Sequence, residues 1–143
     1  MRGERGFTLL ETLLVMGIVG VLTALAFNTY AYESQRGAIR QDMALVAATF
    51  EEMRSNSLRY NVTHSVSFAG ATLTVTATGR PDRVRVLQTC TVQNAVPVLR
   101  WRAPLAEFET ATDPVPGGVE VNLDCPTGVR VVKVIGVTGK TYY

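Results

Sequence analysis

The chain has 143 residues and a formal net charge of +2, too small for charge alone to mark a nucleic-acid protein. A hydrophobic share of 47% is raised by one N-terminal run, which leaves roughly a hundred residues of ordinary soluble composition, enough for one small core. One His and two widely spaced Cys make no metal set, and the sequence carries no cofactor motif, internal repeat or low-complexity stretch.

The first predicted element lies in RGFTLLETLLVMGIVGVLTALAF, residues 5 to 27. From Phe7 to Phe27 it is apolar except for Thr8, Glu11, Thr12 and Thr23. About twenty helical residues cross a hydrocarbon core of roughly 30 Å. A cleaved secretory signal has a shorter apolar core, of about 7 to 15 residues. The polar leader here, Met1 to Gly6, is also very short. Arg2 and Arg5 on the leader side predict a cytoplasmic N-terminus, with the bulk of the chain in the periplasm or outside the cell. Glu11 is the anomaly, because an unpaired charge in hydrocarbon costs several kcal/mol. Its short stem snorkels poorly to the interface. It is therefore expected to find a partner inside an assembly.

Gly-Phe-Thr-Leu-Leu-Glu, Gly6 to Glu11, resembles the prepilin cleavage motif of type IV pilins and pseudopilins. The resemblance implies cleavage by a prepilin peptidase between Gly6 and Phe7, and methylation of the new N-terminal Phe7. It also implies a role for Glu11 in assembly, pairing with the N-terminal amine of a neighbouring subunit. A carboxylate and an ammonium can satisfy one another in hydrocarbon, where either alone is costly. Glu11 would stand on the first turn of the mature helix, where anions are favoured.

From Ala38 to Arg59 there is no Pro and no Gly. Ile39, Met43, Val46, Phe50 and Met53 recur at steps of four and three, which predicts an amphipathic helix lying on a sheet. Arg36, Arg40, Asp42, Glu51 and Arg54 fall largely off that face, and Gly37 marks a possible bend or local break. Past Asn61 the period changes to two. Strands are predicted at Ser65–Phe68, Leu73–Thr78, Arg83–Thr89, Val96–Arg102, Val119–Leu123 and Val129–Ile135, with a short one at Thr141–Tyr143. Turn signals stand at Gly70, Gly79–Asp82, Asp113–Gly118 and Pro126–Gly128. A helix followed by antiparallel strands is an α+β architecture.

Phe50 to Phe68, FEEMRSNSLRYNVTHSVSF, resembles the helix end and first strand of the GspH/FimT group of minor pilins and pseudopilins, through Arg54-Ser55 and Arg59-Tyr60-Asn61. Val134 to Thr141, VIGVTGKT, is similar to that group's last strand and its Gly-cation turn. The middle, Ala69 to Val129, matches no group. Asn28 stands where major pilins often carry proline, which favours a minor subunit. The implied fold is pilin-like: a long N-terminal helix, half transmembrane and half amphipathic, packed on a C-terminal antiparallel sheet domain. The implied organisation is a leader (1–6), a transmembrane and assembly half of the helix (7–27), an amphipathic half (28–60) and a periplasmic β-sheet domain (61–143).

Cys90 and Cys125 both lie beyond the apolar segment, in an oxidising compartment if the topology holds. A disulfide is expected between them, each ending a strand; two buried thiols are the alternative. Without a C-x-x-C pair, redox catalysis is not expected. His64 and Ser65 point to opposite faces of a strand, and no catalytic motif is present, so no enzyme is expected. Asn61-Val62-Thr63 fits a glycosylation acceptor by chance. Arg83 and Arg85 share a strand face, as do Arg100 and Arg102; with Arg80 they could form a basic patch that captures DNA phosphates. Some FimT-type pilins bind DNA through Gly-Arg-x-Arg, but here Gly139-Lys140-Thr141-Tyr142 offers one cation, Lys140. The preferred reading of the arginines is a solvated face balanced by Asp82, Glu107, Glu109 and Glu120.

The function expected is structural. The chain would be a minor pilin or pseudopilin of the bacterial inner membrane, helping to initiate or tip a filament for pilus biogenesis, DNA uptake or type II secretion. Its partners would be other pilin subunits, the prepilin peptidase and the membrane, with no small-molecule substrate. The alternatives are a DNA- or ligand-binding tip module, for which the arginines and the Asp113–Gly118 loop are candidates, and a membrane-anchored periplasmic domain that never polymerises.

Overall fold

The computed structural model describes residues 8–93, 96–110, 118–135 and 140–143. The leader, Phe7, Gly139 and nearly all of the Asp113–Gly118 loop lie outside the described residues. The chain divides at Gly37 into two compact units.

A single helix, α1, covers Leu9–Tyr60. Thr8 caps it: Oγ1 accepts the Glu11 N–H at 3.3 Å. Thr8-Leu9-Leu10-Glu11 also has the spacing of a capping box, a signal that the hydropathy pattern overshadows. In the first unit, residues 8–36 are all exposed. The threonine hydroxyls there donate to carbonyls of the preceding turn: Thr12 to Thr8 at 3.1 Å, Thr23 to Val19 at 2.7 Å and Thr29 to Leu25 at 3.1 Å. Each of these three hydroxyls is thus satisfied within the helix. The helix runs through Gly37 without the local break that was one expectation there. The propensity cost of one interior glycine, about 1 kcal/mol, is too small by itself to end a long helix.

In the second unit, the predicted apolar stripe is the buried face of α1. Ile39, Val46, Phe50 and Met53 are buried, and Met43 packs against them. They meet two antiparallel sheets. The first has the order β3-β2-β1-β5-β6, from β1 (His64–Ala69), β2 (Thr72–Ala77), β3 (Arg80–Val86), β5 (Leu99–Arg102) and β6 (Glu107–Thr110). The second has the order β4-β7-β8-β9, from β4 (Thr91–Val92), β7 (Val119–Cys125), β8 (Gly128–Ile135) and β9 (Lys140–Tyr142). Val66, Leu73, Leu99, Trp101 and Phe108 line the inner face of the first sheet, and Val121, Leu123, Val132 and Val134 that of the second. Phe50 of α1 lies 5.4 Å from Trp101, and Trp101 lies 5.1 Å from Phe108, between ring centroids. The stripe of α1 and the inner faces of both sheets belong to one core cluster.

The strand expectations need four corrections. The strand predicted at Arg83–Thr89 starts at Arg80 and ends at Val86, because β3 is an edge strand, where Pro81 removes no ladder bond. The turn is accordingly limited to Thr78 and Gly79. The strand predicted at Val96–Arg102 is confined to Leu99–Arg102. Two short strands, β4 and β6, escaped the pattern, having too few residues to show an alternation.

The largest correction concerns Asp42. It was expected off the apolar face, yet it is 3% exposed. One carboxylate oxygen accepts the N–H of Gln88 at 3.0 Å; the other accepts those of Thr89 at 2.8 Å and Cys90 at 2.9 Å. These three donors belong to the segment that leaves the first sheet and enters the second. Its two ends are held as well: the Leu87 N–H donates to the Ala71 carbonyl at 2.8 Å and the Val92 N–H to the Gly70 carbonyl at 2.9 Å. Gly70, with φ 58°, occupies the two-residue β1–β2 turn, where a left-handed backbone favours glycine. Asp42→Ala strands three backbone donors and is expected to destabilise the fold by on the order of 3 kcal/mol. Urea unfolding of the full chain in detergent, followed by Trp101 emission, measures this; the exposed control Glu51→Ala should change stability by no more than about 0.5 kcal/mol.

Candidate functional site

The N-terminal part of α1 presents a continuous apolar surface without an intramolecular partner. Leu9, Leu13, Met16, Val21, Leu25 and Phe27 are among the exposed large side chains. The helix is long and apolar enough to cross a membrane, and none of its most hydropathic window is buried. Glu11 stands in its first turn. At the other end of the apolar run, Tyr30 and Tyr32 are exposed and are followed by Glu33 and Arg36. Rings with polar tips, then charges, are the order found where a helix leaves a bilayer.

Cys90 and Cys125 form a disulfide, with Cα atoms 4.4 Å apart. Cys125 ends β7 as expected, but Cys90 immediately precedes β4 rather than ending a strand. The β4–β7 register, Thr91 opposite Asp124, brings the two cysteines together. The Asp42-bound segment is thereby tied covalently to the second sheet.

The six candidate cations do not share one face. Trp101 is buried inward, so its strand neighbours Arg100 and Arg102 point outward, where the register sets them opposite Glu109 and Glu107. Arg83 and Arg85 are opposite the inward-facing Val75 and Leu73 and lie on the helix side of the same sheet. Glu52 of α1 takes both: Arg83 at 3.1 Å, and Arg85 through its second oxygen. Arg85 also donates to Thr49 Oγ1 at 2.8 Å. Arg80 stacks on Tyr60, its Cζ 4.6 Å from the ring centre. Lys140 is on β9, in the other sheet, 5.4 Å from the Tyr142 ring centre. Among the expected balancing acids, Glu120 pairs with Lys133 at 2.8 Å. His64 and Ser65 are separated as predicted: Ser65 Oγ bonds Thr76 Oγ1 at 2.6 Å on the outer face, and His64 bonds Ser57 of α1 on the inner face. Among the described residues no group of three or more His, Cys, Asp or Glu could hold a metal ion.

Glu52 and Asp42 are the residues that sequence reasoning did not single out. Asp42 lies three positions after Ile39 and four before Val46, so its place on the apolar stripe was legible from spacing. Glu52 carries no such signal, since its cations are more than thirty residues away.

Residues 1–27 match the family model described as the prokaryotic N-terminal methylation motif. The N-terminus is type IV prepilin-like. This supports a type IV pilin-like protein that prepilin peptidase processes and that contacts other pilin subunits, and the apolar helix fits membrane anchoring. A long helix on antiparallel sheets is consistent with the pilin fold. No curated protein and no solved structure matches the chain.

Removing the disulfide as Cys90→Ser with Cys125→Ser is expected to cost about 2–4 kcal/mol. Thermal unfolding of the full chain in detergent, with and without reductant, checks this: reductant should lower the midpoint of the native chain and leave that of the double variant unchanged.

Proposed function

We propose that the chain is a minor pilin or pseudopilin of the GspH/FimT type. Prepilin peptidase cuts it between Gly6 and Phe7, Phe7 is methylated, and the subunit enters a type IV pilus-like filament through α1. The observation that carries this reading is the methylation-motif match over residues 1–27, joined to a helix exposed over residues 8–36. An apolar surface of that length needs either lipid or neighbouring helices around it. Both would serve in turn, lipid before assembly and other subunits after it.

Glu11 is the assembly residue. It lies four positions beyond the proposed new N-terminus. A carboxylate at that depth is stabilised when a neighbour's freed amine meets it, and the pair is neutral in the filament core. The leader arginines Arg2 and Arg5 favour a cytoplasmic N-terminus and hence a periplasmic side for the sheets. The Cys90–Cys125 disulfide supports that side, because disulfides persist in oxidising compartments. Asn28 and the local similarities at Phe50–Phe68 and Val134–Thr141 favour a minor role near the filament's start or tip. The filament would serve pilus biogenesis, DNA uptake or type II secretion.

The DNA-capturing alternative draws little support from the cations: Arg83 and Arg85 are opposed by Glu52 on one face of the first sheet, Arg100 and Arg102 by Glu109 and Glu107 on the other, and Lys140 is on the second sheet. The assembly role is structural and calls for no catalytic group.

Mass spectrometry of the protein from its native membrane should give an N-terminal methylated Phe7. An intact Met1, or a cut beyond Phe27, would return the reading to a plain anchored domain. Glu11→Ala should leave membrane insertion intact and reduce incorporation into filaments at least tenfold, read by immunoblot of sheared filaments against membranes; equal incorporation would refute the pairing.

A further inference from the structure

A recess of about 80 Å³ lies between α1 and the β3 edge, separate from the apolar helix surface. Its lining carries Arg80, Arg83, Arg85, Glu52, Asn56 and His64. Three guanidinium groups against one carboxylate leave a formal surplus of two positive charges. Glu52 is already divided between Arg83 and Arg85. The Arg80 guanidinium is held over the Tyr60 ring, a stacking that restrains the group without using its N–H donors. Among the described residues neither Arg80 nor Asn56 has a side-chain hydrogen-bond acceptor.

His64 adds a directional group. It is 4% exposed and borders the recess. Its Nδ1 lies 2.9 Å from the Val62 carbonyl oxygen and 3.0 Å from Ser57 Oγ. The Ser57 hydroxyl donates to the Trp101 carbonyl at 3.1 Å, so its oxygen can only accept from His64. A carbonyl also only accepts. Nδ1 therefore carries a proton, and both its partners are accounted for. Nε2 is the ring nitrogen left over, with no protein hydrogen-bond partner among the described residues; it belongs to a side chain that lines the recess and is not among the sealed, unpartnered polar atoms.

We infer that this recess is a binding site for a single oxyanion, of the carboxylate or phosphate class. Forked guanidinium donors from Arg80 and Arg83 meet the ligand's oxygens, the Asn56 amide adds a donor, and Nε2 accepts from a protonated ligand oxygen or donates as an imidazolium. Arg85, fixed by Thr49 and Glu52, holds the positive field without direct contact. The volume admits one such group and a few waters, not a large ligand. The two natural sources are an acidic side chain of a neighbouring chain and a free phosphate.

The sequence has one His and one Trp, which makes both unambiguous reporters. The full chain in dodecyl maltoside micelles, at fixed pH and with ionic strength held by chloride, is titrated with sodium phosphate and separately with sodium acetate. The expected result is a saturable shift of the His64 imidazole resonances with at least one of the two. Saturation by acetate alone assigns the site to carboxylates, and saturation by phosphate assigns it to phosphates. Arg80→Gln and Arg83→Gln should each raise the apparent Kd about tenfold. Arg102→Gln, on the outer face of the sheet, should leave it unchanged. Buried Trp101 emission verifies that each variant is folded. A linear drift with both salts, or equal saturation in all three variants, overturns the proposal.

Discussion

The Asp42 carboxylate is the contact on which the second unit turns. It sits on the buried face of α1 and accepts three consecutive backbone N–H groups, from Gln88, Thr89 and Cys90. Those residues bridge the two sheets, so a single helical side chain decides where one sheet ends and the other begins. A buried carboxylate is tolerable because the N–H dipoles replace the water it lost. The third of these donors is the backbone of a disulfide cysteine, and Cys125 at its far end closes β7. Helix, crossing segment and second sheet are therefore joined in sequence by hydrogen bonds and then by a covalent link.

One helix meets two different demands along its length. Over residues 8–36 every side chain is exposed and most are apolar, and the threonines return their hydroxyls to the helix itself. Such a surface is stable in lipid or among like helices and costly in water. From Ile39 onward the same helix buries one stripe against two sheets and leaves its other side to solvent. The methylation motif at its start and the core contacts at its end belong to separate units, each with its own physical logic.

The first sheet also divides its chemistry between faces. Outward, Arg100 and Arg102 oppose Glu109 and Glu107 among Ser65 and Thr76, a neutral and hydroxyl-rich surface. Inward at the β3 edge, Arg83 and Arg85 share Glu52, Arg80 stacks on Tyr60, and His64 borders the same recess. Alternation along a strand makes this separation unavoidable, since neighbouring residues point in opposite directions.

The sequence alone determined the local and periodic features. The apolar run, the stripe from Ile39 to Met53 and the longer strands follow from hydropathy period, which a single element expresses by itself. The N-terminal motif was legible as a short contiguous string, Gly6 to Glu11. Tertiary structure decided what depends on distant partners. It made Asp42 a buried bridge, because three backbone donors some 46 to 48 positions away converge on it. It split the strands into two sheets, and added β4 and β6, because two- and four-residue strands exist only through the neighbours that pair with them. It separated Arg83 and Arg85 from Arg100 and Arg102, because the face a strand buries is set by what packs on it and not by the charges it carries.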